Sequence, residues 1–181
     1  DAIAAYRELQ KQEAFQHPLP YDAIETGQYD ILLLPGGHAK GMRQYLESKV
    51  VQQKAFEFMR QNRLVGAICH GVLVLARTID PETQRSVLYG RRLTGLTKRL
   101  ERTSYYLTAW RLGDYYRTYP EYVEDEVTGV LKEKSDFCQG GSIMKPFVVE
   151  DGNLITARYP ADAHLFAQKL IEKVKQEIAP G

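Results

Sequence analysis

The sequence predicts an α/β protein with a largely parallel sheet and a β-hairpin near its C-terminus. Two apolar runs, residues 29–35 and 64–68, are each followed by a glycine-containing turn and a helix-like pattern. This alternation of strand and helix is typical of parallel sheets. Asp151-Gly152-Asn153 separates two further β-type runs, and this arrangement is a strong hairpin signal.

The composition is that of one globular domain. The chain has 181 residues, of which 44% are hydrophobic, and a net charge of +1, so nothing attracts it broadly to nucleic acid. No apolar run approaches the roughly 18 residues of a membrane span, and residues 1–15 lack the apolar segment of a signal peptide. Two cysteines cannot make a disulfide framework, so we expect a cytoplasmic protein. From the near-neutral charge and the short apolar runs we expect neither a nucleic-acid nor a membrane partner.

Helices and strands alternate through the first half of the chain. Residues 1–15 and 42–61 carry apolar positions at helical spacing, and residues 72–76 continue as a short apolar helix. Residues 29–35 and 64–68 are continuous apolar runs, which are typical of parallel strands buried on both faces. The predicted buried stripe of the second helix consists of Leu46, Val50, Val51, Ala55, Phe58 and Met59.

The second half contains two hairpin patterns and three helical patterns. Residues 86–89 and 91–96 are predicted to be short strands around Gly90. Residues 147–150 and 154–157 flank the Asp-Gly-Asn turn and form the stronger hairpin signal. The predicted helices are residues 96–112, 122–132 and 161–178.

The segment from Leu64 to Ala76 combines a strand, a sharp turn and a helix, with Cys69-His70-Gly71 at the turn. This is the geometry of a nucleophile elbow, in which the turn lifts the nucleophile clear of the sheet. The helix N-terminus behind it favours a lowered thiol pKa and a reactive thiolate. His70 is placed to act as base or acid, and Gly71 leaves room for a substrate carbonyl. The alternative is that Cys69 is an ordinary buried cysteine at a strand end.

A second candidate binding element follows the first strand. Gly36 and Gly37 place backbone N–H groups at the strand's carboxyl end, where ligands bind in open α/β sheets. His38 comes next and is either a residue at the rim of the pocket or an ordinary loop histidine. Arg158 follows the last strand and either binds a carboxylate, holds a dimer or forms a surface ion pair. We assign Gly36, His38, Gly71 and Arg158 to the substrate pocket.

The histidines give no metal-binding pattern. His17, His38, His70 and His164 are scattered, and the chain has no Cys-x-x-Cys or His-x-His spacing. We therefore expect no metal and no other cofactor. Cys138, in a glycine-rich stretch, is interpreted as an incidental surface thiol.

The group that orients His70 is not evident from the sequence. Glu124, Asp125 and Glu126 are candidates within the chain, and a carboxylate of a partner subunit is another. The alternative is that these three residues only stabilise the N-terminus of their own helix.

Arginines and aromatic residues are interleaved between residues 97 and 122. Such a mixture sometimes marks a nucleic-acid surface, but acidic residues dilute the charge and the whole chain is close to neutral. We expect this segment to form a wall of the substrate pocket or a contact between the subunits of a dimer.

Three motifs together resemble the ThiJ/PfpI superfamily, also described as class-I glutamine amidotransferase-like. They are residues 30–38, 67–71 and 151–163, and the resemblance runs from about residue 22 to the C-terminus. It implies a flavodoxin-like α/β sandwich with helices on both faces of the sheet. Within that fold, residues 97–145 correspond to a segment that varies in the family.

The resemblance also implies roles for individual residues. Cys69 becomes the nucleophile of a strained elbow, and backbone N–H groups of Gly37 and His70 form an oxyanion hole. Members of the family are described as peptidases or amidases, glyoxalase III enzymes that act on 2-oxoaldehydes, proposed deglycases, redox sensors and holding chaperones, and most form dimers.

We therefore expect a homodimeric, cysteine-dependent enzyme that acts on a small carbonyl compound such as a 2-oxoaldehyde, or on an amide or peptide. The alternative is a stress protein without enzymatic activity, a redox sensor or holding chaperone that uses an oxidisable Cys69.

Two features depart from the family pattern. Amidotransferases of this class use a distant His-x-Glu pair, but His164 is followed by Leu165 and Phe166, so glutamine hydrolysis is not expected. His164 is interpreted as a surface or packing residue of the last helix. The family also opens with a strand, a helix and a second strand, and an acidic residue there contacts the cysteine. None of these precedes Asp1, so we expect an N-terminally incomplete domain or elements supplied by another chain.

Overall fold

A computed structural model of the protein describes residues 2–178, and the side chains of residues 3–176. Four strands form one sheet in the order β1-β2-β4-β3. β1 (Ile31–Leu34), β2 (Leu64–Ile68) and β4 (Leu154–Ala157) run parallel, and β3 (Val148–Asp151) pairs antiparallel with β4. The predicted α/β class, the mainly parallel sheet and the C-terminal hairpin are confirmed.

Eight helices accompany the sheet within the described residues. They are α1 (Ala2–Leu9), α2 (Glu13–Gln16), α3 (Met42–Leu46), α4 (Lys49–Arg60), α5 (Val72–Ala76), α6 (Lys98–Leu112), α7 (Val123–Val130) and α8 (Ala163–Ile178). None of these helices combines the length and hydrophobicity needed to cross a membrane.

The sheet has an apolar core on each face. Successive side chains of a strand point to opposite faces. Val65 and Ala67 of β2 therefore pack with residues of α4, α5 and α7, whereas Leu64 packs with Phe166 and Leu170 of α8. Helices thus cover both faces of the sheet, as the family resemblance implied.

The first strand is shorter and more exposed than predicted. β1 begins at Ile31, and the side chain of Leu33 is 54% exposed. Leu33 lies opposite Gly66 on the face that carries α8, but α8 packs over β2 and β4. The prediction that this strand is buried on both faces is therefore wrong.

The predicted N-terminal helix is two short helices. α1 and α2 are separated by a turn at residues 10–12, where Lys11 and Gln12 donate to carbonyl groups three residues back. The described side chains of both helices are exposed. Most of the stability of a helix in a protein comes from packing of its apolar face. A helix without a buried face is held only by its own hydrogen bonds, so interrupting it costs little free energy. Asp1, where the predicted helix starts, lies outside the described residues.

The second predicted helix is interrupted at Glu47 and Ser48. The Ser48 hydroxyl accepts a hydrogen bond from the Val51 N–H (3.3 Å) and caps the start of α4. This new start changes which side chains face the core, and Val50 is 41% exposed instead of buried. The predicted core positions that are buried are Leu46, Val51, Ala55 and Phe58.

Residues 86–96 do not form the predicted pair of strands. Gly90 turns the chain with a φ of +78°, but its two flanks pair with other segments. Ser86 bridges to Ile79, and Leu93 bridges to Phe137. The predicted hairpin is therefore wrong, because the two flanks of Gly90 bridge to other segments and their Leu88 and Leu93 side chains are buried in the main core.

The other predicted elements of the second half are confirmed. α6, α7 and α8 lie within the predicted helical ranges, and Thr97 caps α6 by accepting a hydrogen bond from the Leu100 N–H (3.3 Å). The β3–β4 hairpin turns at Gly152, whose φ is +59°. The carboxyl ends of β1, β2 and β4 consequently meet at one edge of the sheet.

Candidate functional site

A pocket of about 480 Å³ opens at this carboxyl edge. Its walls come from the segments that follow the three parallel strands and from α6. The lining residues are Pro35, Gly36, Gly37, His38, Ile68, Cys69, Leu96, Leu100, Ser104, Tyr116, Tyr159, Pro160 and Ala163. In open α/β sheets, ligands bind at this edge.

Cys69 sits at a sharp turn between β2 and α5. Its backbone φ is +59°, a left-handed conformation that costs a non-glycine residue about 1–2 kcal/mol. Residues 69–71 form one 3₁₀ turn, and α5 follows directly. The strand, the strained turn and the helix that define a nucleophile elbow are therefore all present.

Two glycines let the elbow pack against the end of β1. A Cβ at Gly36 would lie 2.6 Å from the Cβ of Cys69, and a Cβ at Gly71 would lie 2.0 Å from the carbonyl oxygen of Leu34. Any side chain at either position would push the two strand ends apart. Gly71 is buried and does not line the pocket, so its assignment to the pocket is corrected to a packing role.

Cys69 and His70 are buried side by side. The Sγ atom lies 3.6 Å from Nδ1 of His70, and the backbone N–H of His70 is directed at the sulfur. Burial raises the pKa of the Cys69 thiol to about 12 and lowers the pKa of His70 to about 3. At neutral pH the elbow therefore holds a thiol beside a neutral imidazole. A lowered thiol pKa was expected from the helix N-terminus, but burial of the sulfur raises this pKa instead.

His38 contacts His70 and Tyr116. The ring centroids of His38 and His70 are 4.7 Å apart, and those of His38 and Tyr116 are 4.6 Å apart, both edge to face. The Thr118 hydroxyl donates to the His38 carbonyl (3.0 Å) and so ties this loop to the segment after α6. Burial lowers the pKa of His38. His38 therefore lines the pocket as a neutral ring beside the elbow.

The fold brings together three residues that are scattered along the sequence. One ligand atom from each of His38, Cys69 and His70 lies within 4.8 Å of the others. Two buried ring nitrogens, Nδ1 of His38 and Nε2 of His70, have no hydrogen-bond partner in the described part of the chain. No metal site was expected from the sequence, because the proximity of His38 to the elbow depends on the pairing of β1 with β2.

Arg158 does not line the pocket. Its side chain is 1% exposed and donates to Asp162 through Nε (2.8 Å) and Nη2 (2.9 Å), and Nη2 also donates to the Lys145 carbonyl (2.9 Å). The ion pair is buried rather than on the surface. The assignment of Arg158 to the pocket is therefore corrected, and its neighbours Tyr159 and Pro160 line the pocket instead.

The three acidic residues at the start of α7 do not contact the elbow imidazole. Glu124 accepts from the backbone N–H of Lys98 (2.7 Å), and Asp125 pairs with the Lys98 ammonium (2.7 Å). Glu126 forms a two-point ion pair with Arg77 at 2.6 and 2.9 Å. These bonds join α7 to α6 and to Arg77 at the end of α5, so all three candidates within the chain have partners other than the imidazole.

Glu101 is a buried carboxyl that no sequence motif indicates. It accepts a hydrogen bond from the Val123 N–H (3.1 Å) and lies 3.5 Å from Arg117. Burial raises the pKa of Glu101 to about 7. Its neighbours on α6, Leu100 and Ser104, line the pocket. An acidic residue in an amphipathic helix is normally solvated, so only the fold reveals this one.

The arginine- and tyrosine-rich segment does contribute a wall of the pocket, through α6 and Tyr116. Trp110 at the end of α6 is 83% exposed, and a dimer contact there stays a prediction. His164 is exposed in the first turn of α8, as expected. Cys138 is partly buried, with its Sγ 3.7 Å from Arg92 Nη2, and is not part of the pocket lining.

The elbow, the paired strand ends and the pocket agree with a match to a family model. A model described as ThiJ/PfpI family-like matches residues 1–137, which is well over half of the chain. The protein therefore belongs to the ThiJ/PfpI family. The match begins at residue 1 and so includes α1 and α2, whereas the resemblance noted in the sequence runs only from about residue 22.

Two curated relatives are named as glyoxalases. The chain is 26% identical over 165 residues to the glutathione-independent glyoxalase HSP31 of Saccharomyces cerevisiae, covering 84% of this chain and 60% of that protein. It is 24% identical over 148 residues to glyoxalase 3 of Candida albicans, covering 82% of this chain and 59% of that protein. The chain thus spans about 60% of the length of these relatives.

Solved structures share the fold. The rapid encystment protein of 24 kDa from Francisella tularensis matches with a TM-score of 0.71 at 21% identity, over 91% of this chain and 68% of that one. Glyoxalase III from Candida albicans matches with a TM-score of 0.65 at 24% identity, over 84% of this chain and 60% of that one. At these identities the likeness defines the fold.

Proposed function

We propose that this protein is a cysteine-dependent enzyme that converts a small 2-oxoaldehyde into the corresponding 2-hydroxy acid without glutathione. The observation that carries the proposal is Cys69, held in a strained elbow at the pocket with its Sγ 3.6 Å from Nδ1 of His70. Two relatives that are named as glyoxalases support the same class of substrate.

The first step starts from the neutral thiol–imidazole pair. The imidazole of His70 takes the thiol proton as Sγ adds to the aldehyde carbon, and that proton then passes to the aldehyde oxygen. The product is a hemithioacetal on Cys69. Backbone N–H groups of Gly37 and His70 are the proposed donors to the oxygen while it carries negative charge.

The second step is an isomerisation on the enzyme. The imidazole removes the hydrogen from the former aldehyde carbon and a proton is delivered to the neighbouring carbon, so an enediol becomes a thioester of the 2-hydroxy acid. Water then cleaves the thioester, which releases the acid and restores the thiol. Overall, one water is added and no oxidant or reductant is consumed.

The site supports an aldehyde substrate better than an amide. Amide cleavage needs an oriented base and an acid that protonates the leaving amine. Among residues 2–178, no carboxylate is hydrogen-bonded to His70, and its Nε2 has no partner. Addition to an aldehyde expels no leaving group, so this simpler pair suffices.

The pocket supports redox sensing less well. Sensor cysteines are exposed and have a low thiol pKa. Cys69 is only 5% exposed, and burial raises its thiol pKa to about 12. A buried thiol that stays protonated reacts slowly with peroxide, because the thiolate is the form that peroxide oxidises.

Methylglyoxal turnover to lactate, measured without glutathione, tests the proposal. The variants are Cys69→Ala and, as the matched control, Cys138→Ala, which removes the chain's other cysteine. We expect wild-type turnover in the control and none above background in Cys69→Ala, with circular dichroism showing that both are folded. Undiminished turnover in Cys69→Ala would contradict the proposal.

A further inference from the structure

We propose that His38, Cys69 and His70 bind a zinc ion through one thiolate and two imidazole nitrogens. Zinc favours thiolate and imidazole ligands in a tetrahedral arrangement and accepts water as a fourth ligand when the protein supplies three. Here the fourth position would face the pocket that Cys69 and His38 line.

The three ligand atoms are already close to the required arrangement. All lie within 4.8 Å of one another, and Sγ of Cys69 is 3.6 Å from Nδ1 of His70. With zinc bonds of about 2.0–2.3 Å, ligand atoms on a tetrahedron are about 3.5 Å apart. The Cys69–His70 pair thus needs almost no movement. The other separations, which are at most 4.8 Å, would have to shorten by no more than about 1.3 Å.

An unsatisfied ring nitrogen of His38 gives an independent sign of a missing partner. The Nδ1 atom of His38 is buried, yet it has no hydrogen-bond partner among the residues that the structure describes. Buried polar atoms in proteins nearly always have a hydrogen-bond partner, so an unpaired one needs a physical explanation. A metal ion accepts the lone pair of a neutral ring nitrogen and so supplies a partner that no side chain provides.

The ligand set is also distinctive within the described part of the chain. These are the three side chains of the His, Cys, Asp and Glu types that lie close enough to share one ion. Their mixture of one sulfur and two imidazoles suits zinc, whereas magnesium and calcium prefer oxygen ligands. The proposed metal is therefore a soft or borderline cation.

Zinc and substrate would compete for the same sulfur. The thiol proton leaves to solvent when zinc binds, because the ligand is the thiolate. A sulfur bonded to zinc is then unavailable for addition to a carbonyl, so bound zinc would inhibit the enzyme. This inhibitory consequence rests on the proposed function, whereas zinc binding itself does not.

Cobalt provides the probe for this site. The metal-free full chain is titrated with Co²⁺, and Zn²⁺ is then added in competition. We expect a cobalt–thiolate charge-transfer band in the wild type, its loss in Cys69→Ser, and zinc binding weakened by at least about tenfold in His38→Ala. The matched controls are Cys138→Ser and His164→Ala, which remove the other cysteine and an exposed histidine and should change neither result.

X-ray absorption at the zinc edge of the wild-type protein needs no variant, and we expect one sulfur and two imidazole ligands. A spectrum without sulfur, a cobalt band that persists in Cys69→Ser, or equal zinc affinity in His38→Ala overturns the proposal. Turnover assays on the metal-free protein separate this proposal from the first. Turnover without zinc binding overturns only the metal site, and zinc binding without turnover overturns only the glyoxalase function.

Discussion

Two turns at the same edge of the sheet differ in how completely their polar groups are paired. In the turn after β4, the Arg158 guanidinium donates twice to Asp162, which also accepts from the N–H groups of Arg158 (3.1 Å) and Phe147 (3.0 Å). In the elbow after β2, Cys69 has a positive φ and Nε2 of His70 has no partner in the described residues. The Arg158–Asp162 pair of the first turn is buried and fully paired, whereas the second turn is buried, strained and incompletely paired.

This difference indicates that the Arg158 turn serves mainly to stabilise the fold, whereas the elbow serves mainly the chemistry. An unpaired buried polar group costs about 1–3 kcal/mol, and a left-handed backbone adds about 1–2 kcal/mol. Such costs persist mainly where a reactive group has to be held in place. We therefore expect substitutions in the elbow to change chemistry more than stability, and substitutions in the Arg158 turn to do the reverse.

The largest expected effect on chemistry is that of His70→Asn. Removing the proton carrier should lower the kcat for methylglyoxal by about 10²–10⁴-fold. Stability should fall by less than about 3 kcal/mol, because the smaller side chain leaves a cavity but no buried charge without its partner. Steady-state kinetics and urea unfolding measure the two effects. A variant that unfolds readily but keeps its kcat would show that the imidazole has a structural role, which would contradict the proposed difference between the elbow and the Arg158 turn.

The largest expected effect on stability is that of Asp162→Ala. It leaves the guanidinium of Arg158 buried without its carboxylate, which typically costs about 3–5 kcal/mol. The matched control is Glu172→Ala, which breaks the exposed ion pair with Lys169 on the same helix and should have a much smaller effect. Urea unfolding of the two variants tests this, and equal losses would show that the buried pair contributes nothing special.

Glu101 lies between the two extremes, because it is buried but has one hydrogen bond and one long ion pair. Its pKa is raised to about 7, so the folded state favours the protonated carboxyl. That stabilisation is complete below about pH 4 and is lost as the pH rises through about 7. Between about pH 5 and 8, wild type should lose about 2–3 kcal/mol relative to Glu101→Gln. Urea unfolding at several pH values measures this, and parallel profiles would contradict it.

The smallest expected effect isolates the strain of the elbow. Glycine adopts a positive φ at no steric cost, so Cys69→Gly should be about 1 kcal/mol more stable than Cys69→Ala. The same two substitutions at Cys138, which lacks a positive φ, should show the opposite order. Chemical unfolding of the four variants gives the comparison. If Cys69→Gly is the less stable of its pair, the elbow is not strained.

The sequence predicts the elements that are set by local pattern. Some elements can be recognised from a short stretch of sequence. They are the apolar run of β2, the Asp-Gly-Asn turn and the helical stripe of α8. The strand–turn–helix around Cys69 is of the same kind, because the order of the three elements is enough to define an elbow. The helix breaks at residues 10–12 and 47–48 were not predicted. The first lies between two exposed helices and the second at the Ser48 cap, and neither feature changes the spacing of apolar residues enough to be seen in the sequence.

The sequence fails where the site depends on distant contacts. The raised pKa of the Cys69 thiol follows from burial, which no local pattern reveals. The approach of His38 to the elbow follows from the β1–β2 register, and the enclosure of Glu101 follows from the packing of α6 against α7. Tyr159 and Pro160 were within reach of prediction, because they follow β4 at the same edge as Gly36 and Cys69.

Peptide mass spectrometry after rapid quenching of the methylglyoxal reaction tests the central claim most directly. The account predicts an adduct with the mass of one substrate molecule on Cys69, which forms during the first turnover and disappears as substrate is consumed. The Cys138 peptide should stay unmodified on that time scale, and Cys69→Ser should show neither adduct nor turnover. Turnover that proceeds in Cys69→Ser, or that never places substrate on Cys69, would contradict the account.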